Sequence, residues 1–172
     1  NTNPQIMAWF MDTYSMHNRG DYLPAVVTGK PLELGGSAGR ASATAQGMVF
    51  CVLQAADHLG LELHGAKVAI QGFGNAGSYA AKLLREQGCI IQAISDVDGA
   101  FFAKEGIDPE HAIAHIQKNK TLRGFEKVAS VEKLKDPLKL LELPVDILIP
   151  AALENQITRK NAERLGLPEF II

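Results

Sequence analysis

Lys67-Val68-Ala69-Ile70-Gln71-Gly72-Phe73-Gly74-Asn75-Ala76-Gly77-Ser78 is the stretch that decides how this chain folds. It continues as Tyr79-Ala80-Ala81-Lys82-Leu83-Leu84-Arg85-Glu86-Gln87-Gly88, then Cys89-Ile90-Ile91-Gln92-Ala93-Ile94-Ser95, with Asp96 next. The order is strand, glycine turn, helix, strand, acid. A bare GxGxxG is weak evidence, because glycines cluster in many loops. Here a strand precedes it, a helix follows it, and an acid stands about 20 residues on, which is the context a dinucleotide fingerprint requires. Gly72 allows the tight turn, Gly74 lets backbone approach a pyrophosphate, and Gly77 lets helix pack on strand. The helix N-terminus adds N–H groups and partial positive charge. Asp96, at the tip of the second strand, can accept both hydroxyls of an adenosine ribose. The alternative is a turn of the same shape that holds no dinucleotide.

The 172 residues are 47% apolar and 21% charged, with a net charge of -2. That composition fits a soluble globular domain and gives no electrostatic case for nucleic acid or an anionic membrane. No apolar run approaches the roughly 20 residues needed to span a bilayer, and no signal-peptide pattern opens the chain. Cys51 and Cys89 form no CxxC pair and read as buried apolar groups in a cytoplasmic protein. The abrupt start at Asn1 and the strand-like end at Ile172 look like cuts in a longer protein.

Asn3-Pro4 is a helix start, with Ile6, Met7, Phe10, Met11 and Tyr14 at helical spacing and His17 in the last turn. A long glycine-rich connector, Thr28 to Arg40, leads to a second helix over 41–59. Arg40 and Thr44 are one turn apart at its start, so they are read as projecting together from a helix N-terminus. They are either a solvated arginine with a capping threonine, or two donors aimed at a ligand. Asp98-Gly99 is a hairpin-type turn. Asp108-Pro109-Glu110 opens another helix, on which His111 and His115 lie at i and i+4 without a third metal ligand beside them. Lys118 to Lys139 reads as charged surface without a site. Val145–Pro150 is a buried strand with Ala151 and Ala152 at its carboxyl tip, where an open α/β sheet binds ligands. Thr158 caps a last helix over 159–165, and residues 169–172 start another strand. The fold class is therefore α/β, a Rossmann-type doubly wound, mostly parallel sheet with flanking helices. Residues 1–172 form one dinucleotide-binding domain, with leading helices and glycine loop over 1–60 and the Rossmann core over 61–172.

These segments resemble the dinucleotide-binding domain of glutamate dehydrogenase, within the glutamate/leucine/phenylalanine/valine dehydrogenase family. The resemblance rests on Asn1-Thr2 with Met7-Ala8-Trp9, Thr28-Gly29-Lys30-Pro31-Leu32-Glu33-Leu34-Gly35-Gly36-Ser37, Gly39-Arg40 and Ala43-Thr44. It continues through Gln71–Gly77, Ser95-Asp96 and Asp146–Ala152. It implies that Thr44 bonds the nicotinamide carboxamide with Arg40 beside it. It implies that Gly72, Phe73, Gly74, Asn75, Ala76 and Gly77 hold the diphosphate and ribose. Asp96, with Val97 next to it, takes the adenosine ribose, and Ala151 and Ala152 border the nicotinamide. The implied reaction is hydride transfer between glutamate and the nicotinamide, giving 2-oxoglutarate and ammonia. The family's catalytic aspartate and substrate lysines would lie before Asn1, in a substrate domain absent from this chain, so no catalytic or metal residue is assigned. The family's Ala-Asn-Gly-Pro segment would lie after Ile172. Ala45 stands where the family usually has Gly, and Ser42 and Gln46 are also departures. The charge of Asp96 favours NAD over NADP, both of which the family uses. Two other outcomes are carried: a dinucleotide module without catalysis, and a leucine-, phenylalanine- or valine-type enzyme. The implied partners are a dinucleotide and, in the parent enzyme, glutamate, with a homo-oligomeric parent.

Overall fold

The computed structural model describes residues 2–166 and 170–171. The chain divides into two compact units, Asn1–Thr44 and Ala45–Ile172.

In the first unit, α1 (Pro4–His17) starts as its sequence dictates. The Asn3 side chain accepts the Ile6 N–H at 2.9 Å, and Pro4 occupies the first turn. Its apolar stripe is partly covered: Met11 is buried, Ile6 and Met7 are half-buried, and Phe10 and Tyr14 are exposed. The connector is ordered by two 3-10 turns, Pro24–Val26 and Leu32–Leu34, and by the Tyr22 hydroxyl donating to the Leu34 carbonyl at 3.0 Å. Helix α2 runs from Ala43 to Leu59, two residues later than its sequence suggests, and from Ala45 onward it belongs to the second unit. Arg40 therefore stands in a preceding turn, and helical spacing does not apply to Arg40 and Thr44.

The second unit is built on β1 (Lys67–Gln71), α3 (Asn75–Glu86), β2 (Ile90–Asp96), β3 (Gly99–Phe102), α4 (Pro109–Asn119), β4 (Glu132–Lys133), β5 (Ile147–Pro150) and β6 (Phe170–Ile171). Their order in the sheet is β4-β3-β2-β1-β5-β6. β1 pairs in parallel with β2 and β5, and β5 pairs in parallel with β6. The hairpin β2–β3 and the short β4 make an antiparallel edge. Alternate residues of each strand face opposite ways. Val68, Ile70, Ile147 and Ile149 pack with Val49 and Val52 of α2, Leu84 of α3, Ala112 of α4, and Leu122 and Phe125. Ala69, Ala93 and Leu148 pack with Leu140 and Leu141 of a 3-10 helix, Pro137–Glu142. Both sheet faces are thus covered, which is why the strands read as continuous apolar runs.

Three further expectations change. The buried stripe of α2 is Ala45, Val49, Val52 and Ala56, which leaves Cys51 on the exposed face; Cys89 is buried. The segment 118–139 contributes β4 and two fully buried residues, Leu122 and Phe125, because its apolar residues are spaced to fold back onto the core. The helix expected over 159–165 is a single 3-10 turn, Ala162–Arg164. Of the last strand, Phe170 and Ile171 are β6, while Glu169 and Ile172 lie outside the described residues.

Candidate functional site

The carboxyl ends of β1, β2 and β5 converge on the glycine turn. Gly72, with φ +90, donates its N–H to the Ser95 carbonyl at 2.9 Å, which extends the β1–β2 pairing to the turn. A Cβ on Gly72 would stand 2.6 Å from the Ala151 carbonyl oxygen and 2.9 Å from the Ala152 Cα. The exit of β5 therefore lies directly against the turn. A Cβ on Gly77 would stand 1.9 Å from the Gly72 carbonyl oxygen, so the first turn of α3 is seated on that backbone. Gly74 differs. Its φ is -81, open to any residue, and a Cβ there would meet nothing within 4 Å. The fold requires glycine at 72 and 77 and does not require it at 74. Gly74 is also the N-cap of α3 and supplies no capping side chain. The N–H groups of a helix's first turn have no intrahelical acceptor and carry the positive end of its dipole. Bare backbone at Gly74 opens onto that end, the shape a diphosphate fits.

Asp96 closes the other side of the site. Its Oδ1 accepts the Asp98 N–H at 2.9 Å and its Oδ2 accepts the Leu122 N–H at 2.6 Å. Each carboxylate oxygen has two lone-pair sites, so capacity remains for two hydroxyls. Asp98 in turn accepts from Arg123 Nη2 at 2.5 Å. That hydrogen bond, together with one from Thr121 and the charges of Arg123 and Lys133, outweighs desolvation and holds the Asp98 carboxyl below its ordinary range. The Leu122 amide and Arg123 were missed in the sequence, within a stretch read as plain surface. The available signal was Leu122 and Phe125, apolar residues three apart in charged surroundings.

The remaining candidates are placed as follows. Val97 is exposed beside Asp96, and Asn75 and Ala76 form the first turn of α3. Phe73 turns its side chain into the core, leaving only its backbone at the turn. Ala151 is half-buried and Ala152 exposed against Gly72. Arg40 and Thr44 belong to the first unit, where both are exposed. His111 and His115 set their rings edge-on to Phe125, at 5.4 and 5.3 Å between centroids, and His115 Nε2 lies 3.1 Å from the Arg123 carbonyl oxygen. A groove of about 370 Å³ lies between α3 and α4, at the far end of α3 from the glycine turn. Its charges satisfy one another, Lys82 with Glu110 at 3.1 Å and Arg85 with Asp108 at 2.5 Å.

The family model for Glutamate/Leucine/Phenylalanine/Valine dehydrogenase matches residues 35–168. A cryptic catabolic NAD-specific glutamate dehydrogenase of Bacillus subtilis is 45% identical over 168 residues, which cover 95% of this chain and 37% of that protein. A glutamate dehydrogenase of Thermotoga maritima is 46% identical over 166 residues, 96% of this chain and 39% of that protein. Among solved structures, the Leu-bound hetero-hexameric glutamate dehydrogenase of Thermus thermophilus superposes with a TM-score of 0.87 at 31% identity, covering 99% of this chain and 38% of that one. The chain thus spans less than two fifths of the length of these relatives. With a match that takes in the glycine turn, Asp96 and the exit of β5, the chain belongs to the glutamate/leucine/phenylalanine/valine dehydrogenase family.

Proposed function

We propose that this chain is the dinucleotide-holding part of a glutamate dehydrogenase. The observation that carries the reading is Gly74: a residue with ordinary backbone angles and open space where its side chain would be, at the N-terminus of α3. A Cβ there would fill the path of a diphosphate. When bound, the nicotinamide would supply hydride transfer to and from the α-carbon of the amino acid. The backbone of Gly72–Gly77 would hold the diphosphate, Asp96 the adenosine ribose with Val97 beside it, and Ala151 and Ala152 the nicotinamide side. The residues at the strand ends are glycines, alanines and a carboxylate already held by two amides. They suit holding and orienting a ligand, not moving protons. The two glutamate dehydrogenases from Bacillus and Thermotoga favour glutamate over leucine, phenylalanine or valine as the substrate.

NAD is favoured over NADP. Asp96 and Asp98 both stand at the β2–β3 turn and would repel a 2′-phosphate, and the charge of Arg123 is committed to Asp98. The Bacillus relative is named as NAD-specific. A cytoplasmic location fits the two free cysteines, and no helix among the described residues is long and apolar enough to cross a membrane. An oligomeric parent enzyme, expected as a homo-oligomer, is supported as an assembly by the Thermus relative, which is a hetero-hexamer. The test is titration of the purified chain with NADH and NADPH by nicotinamide fluorescence, with a parallel assay for NADH formation from glutamate and NAD. The expected result is NADH binding, weaker NADPH binding and no turnover by these residues alone. Absence of binding to both dinucleotides overturns the reading. Turnover overturns the division between holding the cofactor and catalysing the reaction.

A further inference from the structure

Beneath the exit of β5 lies a chain of amides that the functional reading has not used. Gln71, the last residue of β1, is 6% exposed, a rare degree of burial for its type. Its Nε2 donates to Gln156 Oε1 at 3.0 Å, 85 residues along the chain. Its Oε1 is buried and meets no donor among the described residues. The Gln156 carbonyl accepts from Asn161 Nδ2 at 2.8 Å, and the buried Asn161 in turn accepts the Thr158 N–H through Oδ1 at 2.7 Å. The Gln156 amide also reaches back to the Glu154 carbonyl at 3.3 Å. Between Ala152 and Gln156 the backbone passes through Asn155 in the left-handed region, with φ +62. This segment has no helix or strand of its own. Its hold on the sheet includes one side-chain bond across 85 residues, from a residue immediately preceding Gly72.

Leaving a buried amide half satisfied costs stability, and an apolar residue of similar size would avoid that cost. Packing therefore does not account for glutamine here. Its donor does: it ties the loop that carries Ala151 and Ala152 to the strand that carries the glycine turn. We propose that Gln71 is a positioning residue, acting through Gln156 to hold the Ala151–Gln156 loop at the distance from the glycine turn that the nicotinamide half of the cofactor needs. This rests on the dinucleotide reading above. The adenosine half, at Asp96 on the other side of β1, does not depend on it.

The experiment compares NADH with ADP-ribose, which lacks the nicotinamide ring, on the full chain and on Gln71→Leu. Direct fluorescence titration reads NADH, and competition reads ADP-ribose. Circular dichroism confirms that the variant is folded. Loss of one positioning hydrogen bond is expected to weaken NADH about fivefold while ADP-ribose is unchanged. Gln156→Leu, at a half-buried loop position that does not threaten the core, is expected to give the same split, and the double variant no more than either single one. Equal affinities of wild type and both variants for NADH overturn the proposal and leave the dinucleotide reading standing. Equal losses for NADH and ADP-ribose also overturn it, because the role is then general to the fold. If the wild-type chain binds neither ligand, the dinucleotide reading falls and this inference with it.

Discussion

Gly74→Ala separates a glycine kept for the fold from one kept for a ligand. The backbone angles at Gly74, φ -81 and ψ -156, suit alanine, and the added methyl meets nothing within 4 Å. Two small effects on stability oppose each other. Alanine is a poorer N-cap than glycine by up to about 1 kcal/mol, and it stiffens the unfolded chain by about 0.4–1 kcal/mol in compensation. The net change is within about 0.5 kcal/mol, or roughly 2 °C in melting temperature for a chain of this length. Gly77→Ala is the control. Its methyl would sit 1.9 Å from the Gly72 carbonyl oxygen, and relief requires the backbone to move by more than an ångström. Overpacking of that kind costs about 3 kcal/mol, a fall of roughly 6–12 °C. The assay pairs thermal unfolding with NADH titration. Gly74→Ala is expected to melt like wild type and bind NADH at least about tenfold more weakly, close to 1.4 kcal/mol. A Gly74→Ala chain that binds NADH as wild type does would refute the reasoning, since the open space would then belong to nothing.

Three further outcomes are expected. Asp96→Ala strips the acceptor from the Asp98 and Leu122 amides, so urea unfolding should show a loss of roughly 1–3 kcal/mol, and ADP-ribose binding should weaken as well. Asp98, held below the ordinary aspartate range chiefly by its hydrogen bond from Arg123, lends stability that is present above about pH 4 and lost as pH falls through its depressed value. Asp98→Asn should therefore flatten the acid limb of a stability-against-pH curve; an unchanged limb would exclude the pair as its source. Cys51 is exposed and Cys89 buried, with the Cys89 thiol pushed up to about 11, mainly by burial and secondarily by the charge of Asp146. Iodoacetamide should label Cys51 in the native protein and Cys89 only on unfolding, and the protection of Cys89 as a thiol should weaken the fold as pH rises from about 8.5 toward 11.

The central unit was legible because its signals are local. Strand, glycine turn, helix and strand follow one another within 30 residues, and Gly88 and Asp108 mark element ends by a left-handed turn and a side-chain cap. Where reading failed, the cause was long-range. Leu122 and Phe125 sit among charges, and only folding back onto Asp96 and the core explains them. Cys51 was misjudged as buried because nearly every residue on α2 is small or apolar, which leaves the angular pattern of that helix shallow. Thr158 looked like a helix cap, and its Oγ1 does accept the Lys160 N–H at 3.3 Å, but its own N–H is drawn to the Asn161 side chain and only a short turn follows. The Gln71–Gln156 bond, 85 residues across, had no local trace at all.

The place of β1 in the sheet also sets the order in which the protein can assemble. Its neighbour β2 arrives within the next two dozen residues, whereas its other neighbour pairs Val68 with Ile147. A chain emerging from the ribosome can form β1, α3 and the β2–β3 hairpin early, at small cost in loop closure. Until β5 arrives, one side of β1 is an edge of unpaired N–H and C=O groups flanked by apolar side chains, open to pairing with a second nascent chain. The Lys67 amide and the Asp146 carboxylate, 2.7 Å apart at the foot of the two strands, set the register when the edge closes. The loop downstream of β5 can settle only after that edge closes, so in the proposed cofactor site the nicotinamide side forms after the glycine turn.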